Sequence, residues 1–443
     1  MTLADTGGKW CKLVGMNYKV NGRRCTMVLI LCTMPLGMVS GQVYTEKQSR
    51  HRFAQLNFGL DCQSAMGGTT KYLDVRGNTQ SLDLVSGFTP RLLIGGTHFW
   101  GHADFYIAIP LGNQSFRSDN QEVLASRGVE TVFKYYPLRL EHGKIRPFVG
   151  TSLAPFSFKH RNNHLENPEG PEQTRVTFPL MGGLTYQVAS HLIELGLAWN
   201  YRNHQDYYLS PTLSDRVATP PVYAGLSYRY LLETTLSAEK DWESGRTQAI
   251  TKVLEQRGRL NGMYLGVGIS TAFWLKTSSY NRLAGPYTDK PGISTMPDFT
   301  LGYYRHRPDL NVALGYRSYK AHTGAYGTEQ HYSRTSWLLE ATKGLFDYHG
   351  FVPFLGPAVS LENLAFEEAK SGQSNTNAQE RKWSYGLTIG WDIRPNRIQT
   401  WLLRTNLRWF PNLTLEVEPG SGVAFDNLEF NFIQLVVFPS RLR

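Results

Sequence analysis

The side chains best suited to chemistry are His98, His102 and Asp104, two imidazoles and a carboxylate of the kind that hold zinc. They straddle a turn between two strands, and alternate strand residues point to opposite faces. The three therefore read as interfacial polar residues rather than a metal centre. His160, His164 and Glu166 form a looser group on a polar loop, where solvation is the simpler reading. Gly266 and Gly268 make a Gly-x-Gly, but the spacing sits inside a strand with no helix after it, so no nucleotide is expected there. No nucleophile elbow, catalytic carboxylate pair or zinc signature emerges. We expect no enzyme, no cofactor and no metal. What remains is charge on inward-facing strand positions: Arg91, Asp104, Glu130, Lys134, Glu194 and Arg229 in the first half, and Asp392, Arg404 and Arg408 in the second. The first six are three of each sign, and buried charges persist only when partnered. They could line a conduction path, but in a narrow barrel a structural core is the preferred reading.

The elements that carry these charges are strands. From Gln42 onward the pattern is two-residue alternation over segments of about 9 to 12 residues, broken by Gly, Asn, Asp and Pro. Trp383, Tyr385, Leu387, Ile389, Trp391 and Ile393 oppose Ser384, Gly386, Thr388, Gly390, Asp392 and Arg394. Trp401, Leu403, Leu407 and Trp409 oppose Leu402, Arg404, Asn406 and Arg408, and Ile193 to Tyr201 and Val222 to Tyr230 alternate likewise. A soluble β-sandwich also alternates. These segments are longer than sandwich strands, crowd aromatics near their ends, and put glycine on the opposite face, as a barrel in lipid does. In hydrocarbon an unpaired backbone group costs several kcal/mol, so such strands must close into a cylinder.

No stretch past the N-terminus is continuously apolar for the 18 or more residues of a membrane helix, which excludes a helical membrane protein. Cys25 to Met38 is apolar, follows Lys19, Arg23 and Arg24, and precedes Ser40 and Gly41, the pattern of a signal peptide over residues 1–41 cleaved near Gln42. Met16 reads as the initiator. Leu29 to Cys32 loosely resembles a lipobox, but Leu31 is not the small residue that lipidation prefers. Removing five Lys/Arg and one Asp lowers the formal charge from +10 to about +6, so no nucleic acid is expected. Cys62 alone stays in the mature chain, which leaves no internal disulfide.

The chain resembles itself at an offset of about 206 residues. Arg146 to Gly150 matches Val352 to Gly356, His142 and Gly143 match His349 and Gly350, and Pro90, Ile94 and Gly95 match Pro297, Leu301 and Gly302. Gly183, Leu184 and Thr185 match Gly386, Leu387 and Thr388. Strands are expected near Phe53, Phe88, Ala103, Val129, Ile145, Val176, Leu192 and Val222, and near Met263, Pro297, Leu310, Ser336, Val352, Trp383, Thr400 and Asn427. Short connections (100–102, 140–144, 189–191) alternate with long polar ones (61–87, 112–127, 160–175, 203–220), as periplasmic turns alternate with outer loops. Thr131 to Pro137 with Arg146 to Gly150 resembles the central hairpin of the OmpA/OmpW-like eight-stranded outer-membrane barrels, and Gly225 to Tyr230 resembles their closing strand. The likeness covers each repeat nearly end to end. It implies an outer-membrane location and an all-β, antiparallel up-and-down transmembrane barrel, while the duplication departs from the family pattern.

Residues 42–235 and 263–443 are then two eight-strand repeats, and 236–262 is a periplasmic linker in which Ala249, Ile250, Val253 and Leu254 have helical spacing. A linker of that length favours two closed barrels over one sixteen-stranded ring, although sixteen-stranded barrels are the commoner architecture. Plugged barrels imply a structural or surface-binding role, with outer-membrane lipid, the barrel-insertion machinery and an extracellular ligand as partners. One ring of sixteen strands would instead imply a porin-like diffusion channel. An outer-membrane enzyme is the weaker third reading.

Overall fold

The computed structural model describes residues 18–20, 23–25, 52–84, 87–118, 121–233, 245–371, 375–395 and 400–441. The cleavage site and most of the leader lie outside them. Residues 1–48 form one unit and 49–443 another, and the second carries the architecture below.

Alternation becomes eight antiparallel strands in the first half: β1 (Ala54–Met66), β2 (Phe88–His98), β3 (Ala103–Pro110), β4 (Glu130–Tyr135), β5 (Ile145–Asn162), β6 (Leu180–Val188), β7 (His191–Trp199) and β8 (Val222–Glu233). The second half adds β9 (Gly262–Trp274), β10 (Ser294–Arg305), β11 (Leu310–Ala325), β12 (Thr328–Gly344), β13 (Phe351–Lys370), β14 (Thr376–Ile393), β15 (Trp401–Trp409) and β16 (Asn427–Val437). β1 pairs with β8 from Gln55–Glu233 to Met66–Val222, and β4 pairs with β5, so the first eight strands close on themselves. β9 pairs with β16 and closes the second ring. The chain is therefore two eight-stranded barrels, not one ring of sixteen. Closure leaves no wall strand with an unpaired edge, which a barrel in hydrocarbon requires.

Apolar outward positions measure how much of each wall suits lipid. On β13 they run from Phe351 to Leu361 and on β14 from Trp383 to Ile393, about eleven residues each, matching the 9–11 a tilted strand needs to cross the bilayer core. The next outward pair in register is Asn363 with Arg381. Phe299, Tyr316, Trp337, Leu361 and Trp383 are successive register partners at the edge of this belt, with the Tyr316 and Trp337 rings 5.0 Å apart. The strands continue beyond the belt. For this reason β12 starts at Thr328 rather than near Ser336, and β14 at Thr376 rather than near Trp383. The extensions are polar on their outward face and lack the apolar alternation that marks a strand in sequence. The sixth strand also differs: Val176 belongs to a short strand, Gln173–Thr177, that pairs with the far end of β5, and the wall strand begins at Leu180.

Short turns gather at one end and long connections at the other. Among the described residues the long ones carry secondary structure of their own. Hairpins Thr69–Leu73/Thr79–Asp83, Gln114–Ser118/Gln121–Arg127 and His204–Tyr208/Ser214–Ala218 stand over the first barrel. Leu73, Leu84, Val123, Phe158, Tyr207 and Val217 bury one another there. Above the second barrel Trp274, Tyr280, Tyr332, Phe366, Leu415 and Phe425 form an apolar cap. Tyr280 arrives on α2 (Ser279–Ala284), whose N-cap Ser278 Oγ accepts from Asn281 N at 3.2 Å. A second helix among the described residues, α1 (Gly245–Gln256), lies between the barrels in sequence and takes a 3.3 Å bond from Arg307 Nε to Glu255 Oε1.

The barrels touch at both ends. At the short-turn end Phe53, Phe99 and Trp100 meet Tyr348, His349 and Phe351, with ring centroids 5.2 Å apart for Trp100–His349 and for Phe99–Phe351. At the long-loop end Tyr326 N donates to Glu169 O, and its hydroxyl to Tyr208 O, each at 2.8 Å.

Candidate functional site

Side chains that alternate inward from eight strands converge on a narrow axis, so the barrel interior is where charges on separate strands can meet. In the first barrel Arg91 stands opposite Asp61 in register and donates from Nε to Oδ1 at 2.8 Å, while Nη1 reaches Glu130. Arg127 Nη2 shares Glu130 at 2.6 Å. Arg229 bridges Asp104 and Glu194, the latter at 3.1 Å, and lies 4.6 Å over the Tyr106 ring. Lys134 donates to Glu194 between the rings of Tyr106 and Phe148, 4.7 and 4.6 Å away. Asn57 Nδ2 donates to Asp104 at 3.1 Å. Arg91, Arg127, Lys134 and Arg229 thus face Asp61, Asp104, Glu130 and Glu194, a set with no net charge.

The second barrel holds its own network. Arg404 faces Asp392 in register through parallel bonds of 2.7 and 3.0 Å, the two-pronged geometry that suits guanidinium and carboxylate. Arg408 Nε donates to Glu340 at 3.0 Å and also engages Asp298, which accepts from Ser270 Oγ at 2.8 Å and Asn431 Nδ2 at 2.9 Å. Arg334 grips Glu362 at 2.8 and 2.6 Å, and Arg317 pairs with Glu429. Arg394 holds Asp309 at 2.8 Å near the short-turn end.

The structure brings together the inward charges expected from sequence. Arg91, Asp104, Glu130, Lys134, Glu194 and Arg229 share the first interior, and Asp392, Arg404 and Arg408 the second; none is more than 6% exposed. Asp61 and Arg127 are additional members. Both lie in segments whose sequence reads as loop (61–87 and 112–127), whereas β1 runs on to Met66 and residues 121–127 form a hairpin strand paired with β5. Asp298, Arg317, Arg334, Glu340, Glu362 and Glu429 are the second barrel's further members. Strand parity would have found them: Glu340 shares a face with Ser336 and Leu338, opposite Trp337 and Leu339.

The metal-like groupings are not assembled. His102 Nδ1 lies 3.0 Å from Tyr136 O, Asp104 is held by Arg229 and Asn57, and buried His98 packs its ring on Phe105. His160 lies in the first cap with Nε2 2.9 Å from Thr70 Oγ1, and burial pushes it down to about 3. His164 N donates to Asn162 Oδ1, and Glu166 is exposed. Gly266 sits in β9 opposite Thr300. Among the described residues no three of His, Cys, Asp and Glu are gathered to hold a metal ion.

An interior cavity bounded by Asp61, Tyr106, Phe148, Glu194 and Tyr223 measures about 20 Å³, and another beneath the first cap, reaching Gln63, Arg127 and Tyr223, is also about 20 Å³. Each has room for roughly one water. Phe148 lies across Gly183, its register partner, and Phe354 across Gly390, so a Cβ on either glycine would fall within 2.7 Å of the ring. This matching places Gly390, not Gly386, as the counterpart of Gly183. Two larger clefts open between the barrels at the long-loop end. One of about 500 Å³ is bounded by Ser126, Ser157, Glu172, Thr295, Lys320 and His322, the other of about 360 Å³ by Lys159, Glu169, Glu172, His322, Glu329 and His331.

No family model and no curated protein matches the chain. Among solved structures it is similar to an anion-selective porin from Comamonas acidovorans, at 12% identity over 87% of this chain and 99% of that one, with a TM-score of 0.14. It is similar to the CymD monoaromatic hydrocarbon channel at 8% identity over 91% of this chain and 92% of that one, with a TM-score of 0.19. A further similarity is to outer-membrane expressed OmpT of Vibrio cholerae, at 6% identity over 87% of this chain and 98% of that one, with a TM-score of 0.17.

Proposed function

We propose that this chain is a non-enzymatic outer-membrane protein whose two plugged barrels anchor an ordered surface for binding, exported by the leader at residues 1–41. The observation that carries the reading is the filled interior. Charges pair across both barrels, aromatic rings and guanidinium groups occupy the axes, and the cavities described in the first barrel are each about 20 Å³. A hydrated ion has no route past side chains held this way, because moving one would leave a buried charge unpartnered. The channel reading called for sixteen strands in one ring, whereas the walls close eight by eight. On this reading the short turns and α1 face the periplasm, the caps and the inter-barrel clefts face outward, and the walls belong with the OmpA/OmpW-like barrels, here in tandem. Outer-membrane lipid and the insertion machinery are the partners of the walls, and an extracellular ligand is the partner of the clefts. The purified full chain reconstituted in planar bilayers is expected to give no stable unitary conductance. Steady openings of porin size would refute the plugged-barrel function.

A further inference from the structure

The outer part of the β11–β12 hairpin carries a pair of histidines that nothing in the barrel explains. Tyr326 and Gly327 both have positive φ (51° and 82°), the signature of a two-residue type I′ turn closed by Ala325 and Thr328. In such a hairpin the closing pair is hydrogen-bonded and the pairs alternate behind it. His322 and His331, direct register partners, therefore fall on a non-hydrogen-bonded pair, where opposing side chains come closest, with Cβ atoms about 4.5–5.5 Å apart. Both are exposed, both lie on the outward face, and both bound the same 360 Å³ cleft. Ring nitrogens of His102, His142, His160 and His191 are taken by a carbonyl, an amide or a hydroxyl. Neither His322 nor His331 has such a partner among the described residues. Glu172 and Glu329 bound the same cleft, and Glu367 is the register partner of His331 on β13.

We propose that His322 and His331 form a binding site for one divalent transition-metal ion, with Zn²⁺ as its ligand. Two imidazoles on a close cross-strand pair bring nitrogen donors to a single ion at about 2.0–2.1 Å each, and imidazole selects Zn²⁺, Cu²⁺ or Ni²⁺ over Mg²⁺ and Ca²⁺. Water completes the coordination. Lys159 bounds the cleft paired with Glu169, and Lys320 is the next outward residue to His322 on β11, so the two imidazoles rather than a net field hold the cation. The site is a property of the hairpin and the cleft, so it does not depend on whether the barrels conduct.

The experiment is Zn²⁺ titration calorimetry on the untagged full chain in detergent micelles, alongside His322→Ala, His331→Ala and the exposed His204→Ala. One equivalent should bind to the parent protein and to His204→Ala, with affinity reduced about tenfold or more in either cross-strand variant, since even loss of an outer-shell partner costs 10–100-fold. Cu²⁺ loaded into the same preparations should show two nitrogen couplings by electron paramagnetic resonance in the parent and fewer in each cross-strand variant. Absence of binding, or binding that survives both single substitutions unchanged, would overturn the proposal. Both side chains are solvent-exposed on a wall extension, so the variants are expected to keep the parent's thermal transition, which each preparation can be checked for directly.

Discussion

Replacing Asp392 by Leu tests whether the interior is held by matched pairs. Asp392 is 1% exposed and receives two charge-assisted bonds from Arg404, at 2.7 and 3.0 Å. Each such bond contributes about 1.5–3 kcal/mol. Without Asp392, Arg404 keeps a 3.3 Å contact with Tyr264 Oη and lies 5.0 Å over the Phe354 ring, but it loses its carboxylate. Arg394 retains Asp309 at 2.8 Å. The aromatic contacts of Arg404 are present in the parent as well, so they offset none of the loss. The net cost should therefore fall within the roughly 3–5 kcal/mol expected when one partner of a buried pair is removed. Removing Arg404 as well, in Asp392→Leu/Arg404→Met, eliminates the stranded charge and should return stability to within about 1 kcal/mol of the parent. Urea unfolding in phospholipid vesicles, followed by tryptophan fluorescence, measures all four members of the cycle. A double variant whose cost equals the sum of the singles, with coupling below about 0.5 kcal/mol, would refute the argument, because independent sites add in that way.

Two further outcomes are expected. His160, held near 3 in the folded cap against 6.5 when free, binds its proton in the unfolded cap first. Its contribution is thus complete above pH 6.5 and declines as pH falls toward 3, by up to about 1.4 kcal/mol per unit. Hydrogen exchange at the Thr69–Leu73 and His204–Tyr208 strands, corrected for intrinsic rates, should show easier opening at pH 4.5 than at pH 7, and a flat profile would count against this. Phe354→Ala, which uncovers Gly390 and removes the ring beneath Arg404, should cost about 3–5 kcal/mol. The exposed Phe346→Ala serves as a near-neutral control, and equal effects would show that the axial ring is not what matters.

Much of the wall was legible because one physical demand, oil outside and small or charged groups inside, acts on every second residue. Trp383 to Ile393 displays it without interruption, and the structure turns Trp383, Tyr385, Leu387, Ile389, Trp391 and Ile393 outward. The same demand stops at the belt's edge. Thr376 to Lys382 continues β14 in a stretch where only Ala378 packs on the apolar cap and the other residues are polar, so nothing in the sequence separates it from a loop. Asp61 and Arg127 were lost to the same effect, each lying at a boundary where the alternation fades. The caps were illegible for another reason. Leu73, Val123, Phe158 and Tyr207 come from separate connections, and no window of sequence shows a core whose members are contributed one or two at a time. Gly183 was matched four residues early because Gly-Leu-Thr recurs at Gly386. Only the ring that covers each glycine distinguishes the true register.

The interior wiring also bears on how sixteen similar strands sort themselves. By register, Glu194 opposite Thr185 in the first barrel occupies the place of Arg404 opposite Asp392 in the second, so at this position the two copies carry opposite signs. A nascent chain that set β7 beside β14 would bury Glu194 against Asp392, two like charges face to face with no water to screen them. The reversal penalises that exchange and biases each ring to seal around the strands that complete its own ion pairs.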